Sequence, residues 1–212
     1  GTDSGLYRSY DLAKGWEKLP FGDGVNENVF SIFSSPLVPG TIWAGTATSG
    51  VVVSKDDGKT WEKTGEFPAN IPVMSIAGDP KRPNYIYAGT TQTLYLSRGG
   101  RTWIRRGGNL PLGKYTSILI NPENTDEIFI SSSLESDGSI FFSTDGGMQW
   151  KRFDSKETKV PSRRVWGMAF DPETPGRMYA ASHSSGIYRI DRLADTASSG
   201  SASDTVSKAT GN

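Results

Sequence analysis

The chain has 212 residues, with 23 basic and 23 acidic side chains, no cysteine and a single histidine, His183. This balance produces no overall field that would attract nucleic acid or an anionic membrane, and the chain has no run of about 18 apolar residues that could insert into a bilayer. Without cysteine, disulfides, thiolate catalysis and zinc–thiolate sites are excluded, and one histidine cannot build a histidine-rich metal site. We therefore expect no cofactor, no metal site, no nucleic-acid partner and no membrane insertion.

Four short apolar segments recur along the chain in a unit of about 44 residues. The chain starts within a unit, because its segments at 6–8 and after Trp16 correspond to the third and fourth of each set. Three complete units follow, whose first segments at 29–33, 73–77 and 116–120 each run into a proline that ends the strand. A last unit begins at 165–170 and keeps its pattern to Ile190, after which no fourth segment is found. The alternation of apolar, aromatic and small residues predicts half-buried β-strands.

A box of polar residues that ends in tryptophan separates the third and fourth segments. It reads Ser-Lys-Asp-Asp-Gly-Lys-Thr-Trp at 54–61 and recurs at 143–150, whereas the first copy has Ala13 in place of glycine and the third is shorter. Ser and Asp oxygens can accept hydrogen bonds from nearby backbone N–H groups, glycine permits positive φ, and tryptophan can fill the space between sheets. We predict a structural turn at each box, formed by Ser9, Asp11, Trp16, Ser54, Asp56, Gly58, Thr60, Trp61, Ser97, Thr102, Trp103, Ser143, Asp145, Gly147 and Trp150.

Four antiparallel strands per unit are typical of a β-propeller blade. The predicted fold class is therefore all-β, a β-propeller of about four to five blades or an arc of a larger one, since the terminal pieces do not combine into one complete blade. We expect blades over residues 1–190 and a polar tail or linker rich in Ser, Ala and Thr over 191–212. An alternative for the tail is that a piece near Thr205 and Val206 adds as a strand to a neighbouring chain.

The pattern Ser-x-Asp-x-Gly-x-Thr-Trp resembles the Asp-box, or bacterial neuraminidase repeat, of the sialidase-like β-propeller superfamily. The resemblance covers roughly Gly5 to Ile190. Similar boxes occur in sialidases, xyloglucan-cleaving endoglucanases, sortilin-type receptors and photosystem II assembly factors. The resemblance implies that the box is a structural turn remote from the functional face, and that functional residues lie on loops at the opposite rim.

Carboxylates on those opposite loops are the candidates for glycosidic bond cleavage, which needs two opposed carboxyl groups. The alternative is that they are ordinary solvated charges, and the Arg-Ile-Pro motif expected of a sialidase is absent from the sequence. We assign no catalytic residue. The acidic residues concerned are Asp23, Glu27, Glu66, Glu135, Asp137, Asp154 and Glu157.

Aromatic and basic residues also gather on the predicted rim, where they could dock a partner. The alternative for Trp166 is a core position in its strand, and for His183 an ordinary surface position. The candidate binding face comprises Lys114, Tyr115, Glu135, Asp137, Arg163, Arg164, Trp166 and His183, with Lys159 nearby.

These observations predict a non-catalytic scaffold that binds another protein or a glycan, in a secreted or surface assembly. The alternative is a fragment of a secreted glycoside hydrolase of the sialidase or xyloglucan-cleaving type. Open blade edges or the tail could also support self-assembly, and we expect an extracytoplasmic location.

Overall fold

The computed structural model describes residues 1–153 and 162–191, together with the backbone of Thr205–Lys208. The first sheet has two antiparallel strands, β1 (Leu6–Arg8) and β2 (Glu17–Leu19), joined through a single 3₁₀ turn. Four sheets of four antiparallel strands follow. Their strands are β3 (Val29–Ser34), β4 (Ile42–Thr46), β5 (Val51–Ser54) and β6 (Glu62–Lys63); β7 (Val73–Gly78), β8 (Tyr85–Thr90), β9 (Leu94–Arg98) and β10 (Trp103–Arg105); β11 (Tyr115–Ile120), β12 (Ile128–Ser132), β13 (Ser139–Ser143) and β14 (Lys151–Arg152); and β15 (Val165–Phe170), β16 (Arg177–Ser182), β17 (Gly186–Asp191) and β18 (Thr205–Lys208).

The predicted all-β class and the four-stranded antiparallel blades are confirmed. Each pair of successive sheets shares one apolar core, because side chains alternate between the two faces of every strand. These cores contain, in chain order, Leu6, Leu19, Val29 and Val52; Trp43, Val51, Val73 and Ile86; Tyr87, Leu96, Tyr115 and Phe141; and Phe129, Ile140, Val165 and Met178. Among the described residues no core joins the first sheet to the last, and we call the five sheets in chain order the arc.

We expected no fourth strand in the last unit, and this expectation was wrong. Residues of β18 pair antiparallel with β17, with Val206 opposite Ile190, so the strand completes a sheet of its own chain. The sequence pattern did not reveal it because backbone pairing at a sheet edge requires no box and no apolar repeat. The other tail residues, 192–204 and 209–212, lie outside the described part of the chain.

The first strand of every complete sheet carries a β-bulge at the same position. The register shifts between Val73 and Ser75, so that Met74 is the extra residue, and the same shift occurs in the other three sheets. The carbonyl before a bulge accepts a hydrogen bond from the preceding sheet, as when the Ser75 hydroxyl donates to Tyr115 O at 2.9 Å. Bulges re-aim side chains and disturb the ladder, and here a hydroxyl from the adjacent sheet satisfies the backbone.

The loops differ between the two rims of the arc, which lie at opposite ends of the strands. At the box end, box turns bond to the turns between first and second strands, as in Asp57 N–H to Gly40 O at 2.8 Å and Gly146 N–H to Asp126 O at 2.9 Å. At the rim end, the second-to-third loops bond to the segments that enter the first strands, as in His183 N–H to Arg164 O at 2.8 Å. Boxes and rim loops therefore lie at opposite ends. In the part of the chain that the structure describes, no helix is long and apolar enough to span a membrane.

Candidate functional site

The complete boxes form closed hydrogen-bonded turns. The Ser54 hydroxyl donates to Asp56 Oδ1 at 2.8 Å and accepts from the Gly58 N–H at 2.8 Å. Asp56 also accepts from the hydroxyl of Thr60 at 2.5 Å and from its N–H at 2.9 Å. The Thr60 hydroxyl and then its N–H lower the pKa of Asp56 to about 2. A carboxylate held ionised in this way supports a turn and is unsuited to donate a proton as a general acid.

The box at 143–150 repeats this geometry, with the Ser143 hydroxyl donating to Asp145 Oδ1 at 2.7 Å and accepting from the Gly147 N–H at 2.9 Å. Desolvation alone would raise the pKa of Asp145, but bonds from the Gln149 N–H, the Ser143 hydroxyl and the Met148 N–H lower it. This second box is therefore also a structural turn.

The other two boxes are partial. In the third copy the Gly100 N–H donates to the Ser97 hydroxyl at 2.9 Å, while Thr102 is exposed. In the first copy Asp11 caps the 3₁₀ turn by accepting from the Ala13 N–H at 3.0 Å, and the buried Ser9 hydroxyl oxygen has no partner. In that turn Gly15 has a positive φ. Ala13, which occupies the glycine position of the box, does not.

The carboxylates predicted at the rim are exposed or take part in ion pairs where the structure describes them. Asp23, Glu66 and Glu135 are exposed. Glu27 pairs with Lys18 at 2.6 Å and Asp137 with Arg152 at 2.7 Å. Asp154 and Glu157 lie outside the described residues, as does Lys159. Within those same described limits no cluster of three or more acidic or histidine side chains could hold a metal.

Four of the residues on the candidate binding face do come together, and we name them the Trp166 cluster: Trp166, Lys114, Arg164 and His183. Trp166 is the bulged residue of β15 and is 42% exposed, so it is not a core residue. Lys114 Nζ lies 5.6 Å from the centroid of its ring and the Arg164 guanidinium carbon 5.9 Å. The backbone N–H of His183 donates to Arg164 O at 2.8 Å, and the Nδ1 of its ring lies 2.8 Å from the Ser184 hydroxyl. Cations beside an indole face interact favourably with its quadrupole.

The remaining predicted residues have other environments. Tyr115 is fully buried, its hydroxyl donates to Pro111 O at 2.5 Å, and burial raises its pKa, so it presents no surface to a ligand. Arg163 is exposed and its backbone packs against Gly138. Glu135 is exposed on the loop after β12, and Ser133 of that loop donates its N–H to Lys114 O at 2.9 Å.

Sequence reasoning missed the set of bulged residues. Phe30, Met74, Thr116 and Trp166 occupy the same register position in four successive sheets. First strands of neighbouring sheets contact one another, so these residues follow the inner side of the arc. Phe30 is 46% exposed, which makes it the second exposed aromatic residue of the set. The signal was the recurring first-strand pattern of an apolar residue, a variable residue and serine at 29–31, 73–75 and 115–117.

Comparison with known proteins bears on the fold. No protein-family model matches the chain. It is 22% identical to the oligoxyloglucan-reducing end-specific xyloglucanase of Emericella nidulans over 78% of its own length, and spans 26% of that enzyme.

Solved structures resemble the chain more closely in fold than in sequence. The GH74 xyloglucanase from Xanthomonas campestris matches with a TM-score of 0.75 and 17% identity, covering 93% of this chain and 35% of that one. The extracellular domain of BT4673 from B. thetaiotaomicron matches with a TM-score of 0.70 and 15% identity, covering 91% and 25%. The prediction of a β-propeller fold is confirmed. The chain therefore spans about a quarter to a third of the length of these proteins.

Proposed function

We propose that this chain forms part of an extracytoplasmic β-propeller of the Asp-box type, and that the inner side of its arc binds a neutral polysaccharide related to xyloglucan. The Asp-box assignment is supported by the turn geometry at 54–61 and 143–150. The glycan is supported by the similarity to a xyloglucanase and by the exposed aromatic residues of the first strands. The location is supported by the likeness to an extracellular domain.

The observation that carries the proposal is the exposed indole of Trp166. A core strand position would bury this ring, but the bulge turns it out of the sheet and leaves 42% of it in contact with solvent. A pyranose ring has a flat face of C–H groups that can pack on an indole, which offers a large apolar area at small entropic cost. The exposed ring is therefore suited to carry one sugar unit.

The two cations beside the ring supply the polar part of such a site. Lys114 and Arg164 extend from neighbouring sheets, and both lie within 6 Å of the Trp166 ring centroid, at 5.6 and 5.9 Å. Ammonium and guanidinium groups are donors only, so they can donate to the hydroxyl oxygens of a sugar stacked on the ring. An apolar surface with a few convergent donors is the usual composition of a small-molecule site.

Phe30 and Met74 extend this surface along the arc. They hold the same bulged position in the second and third sheets, and Phe30 is 46% exposed. A repeated position on successive sheets suits a repeating ligand, because each sheet can contact a different unit of one polysaccharide.

Binding without turnover is the activity that we expect of the 212-residue chain. A glycosidase needs a pair of carboxyl groups, one of them with a raised pKa. The pKa values of Asp56, Asp145, Asp171 and Asp191 are all lowered, so none of these four carboxyl groups suits the role of general acid. The alternative, that the chain is part of a glycoside hydrolase, is favoured by its xyloglucanase relatives and predicts release of reducing ends from xyloglucan.

The test is calorimetric titration of the chain with xyloglucan oligosaccharides, accompanied by a reducing-sugar assay. We expect Trp166→Ala to weaken binding about tenfold, the effect of losing one aromatic contact. Trp16→Ala is the matched control, since Trp16 is also exposed but lies at the first box turn. Absence of binding, or equal affinity of the Trp166→Ala variant, would refute the glycan proposal. Reducing-end release by the chain would establish the hydrolase alternative.

A further inference from the structure

Basic charge is concentrated in the third sheet, β7–β10. No acidic residue occurs between Asp79 and Glu123, although the whole chain has equal numbers of basic and acidic side chains. The basic residues in that stretch are Lys81, Arg82, Arg98, Arg101, Arg105, Arg106 and Lys114. Lys81 and Arg82 are used within the fold, since Lys81 Nζ donates to Glu123 O at 2.7 Å and Arg82 pairs with Asp79 at 2.6 Å. The other arginines lie on or beside β9 and β10, at the outer side of the sheet.

The first, second and fourth sheets each have an ion pair at the outer edge, with one member on the fourth strand. These pairs are Lys18–Glu27, Lys55–Glu62 and Arg152–Asp137. The third sheet has arginine at the positions of Lys55 and Arg152, namely Arg98 and Arg105, but Ile104 at the position of Glu62. Within the described residues neither arginine takes part in an ion pair. The outer edge of this sheet therefore has the cations of the repeat without their anions.

The fold holds these side chains in place although they are exposed. The Arg98 guanidinium carbon lies 5.0 Å from the centroid of the Tyr85 ring, and Arg105 Nε donates to the Thr93 hydroxyl at 3.4 Å. Ile104 lies between them in sequence and is 45% exposed. Guanidinium groups match the geometry of carboxylates, and groups that are already positioned lose less entropy when a partner binds.

Strand β10 is also an unpaired edge of its sheet. Among the described strands it pairs only with β9, and it lies between the second and fourth sheets, so its exposure does not depend on where the chain begins or ends. The Arg106 N–H donates to Leu94 O at 2.8 Å. Because antiparallel residues alternate, the backbone groups of Trp103 and Arg105 point away from β9. The side chains of Ile104 and Arg105 lie on opposite faces of the strand.

We propose that β10 binds an extended acidic segment of a partner polypeptide, which adds to the third sheet as a further strand. Charge complementarity favours this occupant, because its carboxylates would replace the acidic partners that the other three sheets supply themselves. An added strand would place an acidic residue beside Arg105 on one face and an apolar residue beside Ile104 on the other. Its main chain would bond to the free backbone groups of β10, as in other cases of strand addition.

A polyanionic glycan fits this edge less well than a peptide. It would use the charges, but it could not continue the backbone ladder of β10. The site is independent of the proposed glycan function, because β8 and β9 separate β10 from the inner strand β7.

The test is fluorescence anisotropy of a labelled synthetic peptide in which Glu alternates with Val or Thr, titrated with the whole chain. We expect saturable binding that weakens as salt is added. Arg105→Glu should raise the dissociation constant about tenfold, because an attraction is replaced by a repulsion. Lys63→Glu is the matched control with no expected effect, since exposed Lys63 holds the position of Arg105 in the second sheet and the change in charge is the same. Far-UV circular dichroism shows whether each variant is folded.

A second variant tests the missing acidic partner. Ile104→Glu installs the carboxylate that the second sheet has at Glu62, where it pairs with Lys55. It should pair with Arg98 and weaken binding of the peptide. Tighter or unchanged binding by this variant would contradict the assignment of Arg98 and Ile104 to the site.

Two altered peptides separate strand addition from charge alone. A peptide with Lys in place of Glu should not bind. A peptide that keeps every Glu but has Pro in place of Val and Thr lacks the N–H groups of a ladder and should bind at least about tenfold more weakly. Equal binding of the proline peptide, or equal effects of Arg105→Glu and Lys63→Glu, would overturn strand addition at β10. Absence of binding to the wild-type chain would overturn the proposal and leave the arginines the role of preventing edge pairing.

Discussion

Replacement of Trp150 by alanine is the sharpest test of the claim that the boxes are structural. The ring is 4% exposed and lies in the core shared by the second and third complete sheets. Its Nε1–H donates to two carbonyls, Arg106 O and Gly147 O, both at 3.0 Å. The indole N–H of Trp150 therefore bonds both to its own box turn and to the preceding sheet.

The expected loss can be worked from these contacts. A buried Trp removes about 200 Å² from water, worth about 5 kcal/mol at 25 cal/mol per Å². Measured Trp→Ala changes in cores are about 3–5 kcal/mol, so we expect a decrease of about 4 kcal/mol in the free energy of unfolding. Trp150→Phe keeps most of the apolar area but leaves both carbonyls without the indole donor, so about 1–2 kcal/mol should be lost.

Urea unfolding followed by far-UV circular dichroism measures these differences from the midpoint and slope. Trp16→Ala is the matched control: because the Trp16 ring is 65% exposed, its loss should lower the free energy of unfolding by less than about 0.5 kcal/mol. If Trp150→Ala and Trp16→Ala changed the free energy of unfolding equally, the claim that the boxes are structural would be wrong.

Three further predictions concern the box and the bulges. Because the folded-state pKa of Asp56 is about 2, below its usual value of 3.8, its contribution to stability is complete above pH 4 and is lost as pH falls toward 2; Asp56→Asn should flatten this part of the pH dependence of the melting temperature, and an unchanged profile would contradict it. Ser75→Ala should cost about 1–3 kcal/mol in urea unfolding by leaving Tyr115 O without its donor, with the exposed Ser136→Ala as a control near zero. Gly89→Ala should destabilise by about 1–3 kcal/mol because its Cβ would lie 2.9 Å from Tyr115 O, whereas Gly167→Ala, with open space at its Cβ, should not; equal melting temperatures for the two variants would refute the close approach of these sheets.

Local patterns predicted the strands and most of the turns. The first strands begin within a residue of their predicted positions, as at Val29, Val73 and Val165, because alternation and a terminating proline act over a few residues. The box at 54–61 forms the predicted hydrogen bonds for the same reason, since each bond joins residues no more than four positions apart. Strand β18 was not predicted because an edge strand is stabilised by backbone pairing that carries no side-chain pattern.

The candidate site was only partly predictable. Lys114, Arg164, Trp166 and His183 were named together, and the loops bring them together. Tyr115 was named with them although it is fully buried, and Phe30 was omitted although it is 46% exposed. The bulge accounts for both, because one extra residue exchanges the sides to which neighbouring side chains point.

By itself the sequence determined an all-β repeat with four strands per unit, its turn chemistry and the absence of cysteine-based sites, since these depend on residue type and short spacing. Only the tertiary structure decided what each repeated residue does. Trp16 and Trp150 end copies of the same box, yet one is 65% and the other 4% exposed. Burial depends on whether another sheet packs against the residue, and that is a property of the assembled arc which no local pattern contains.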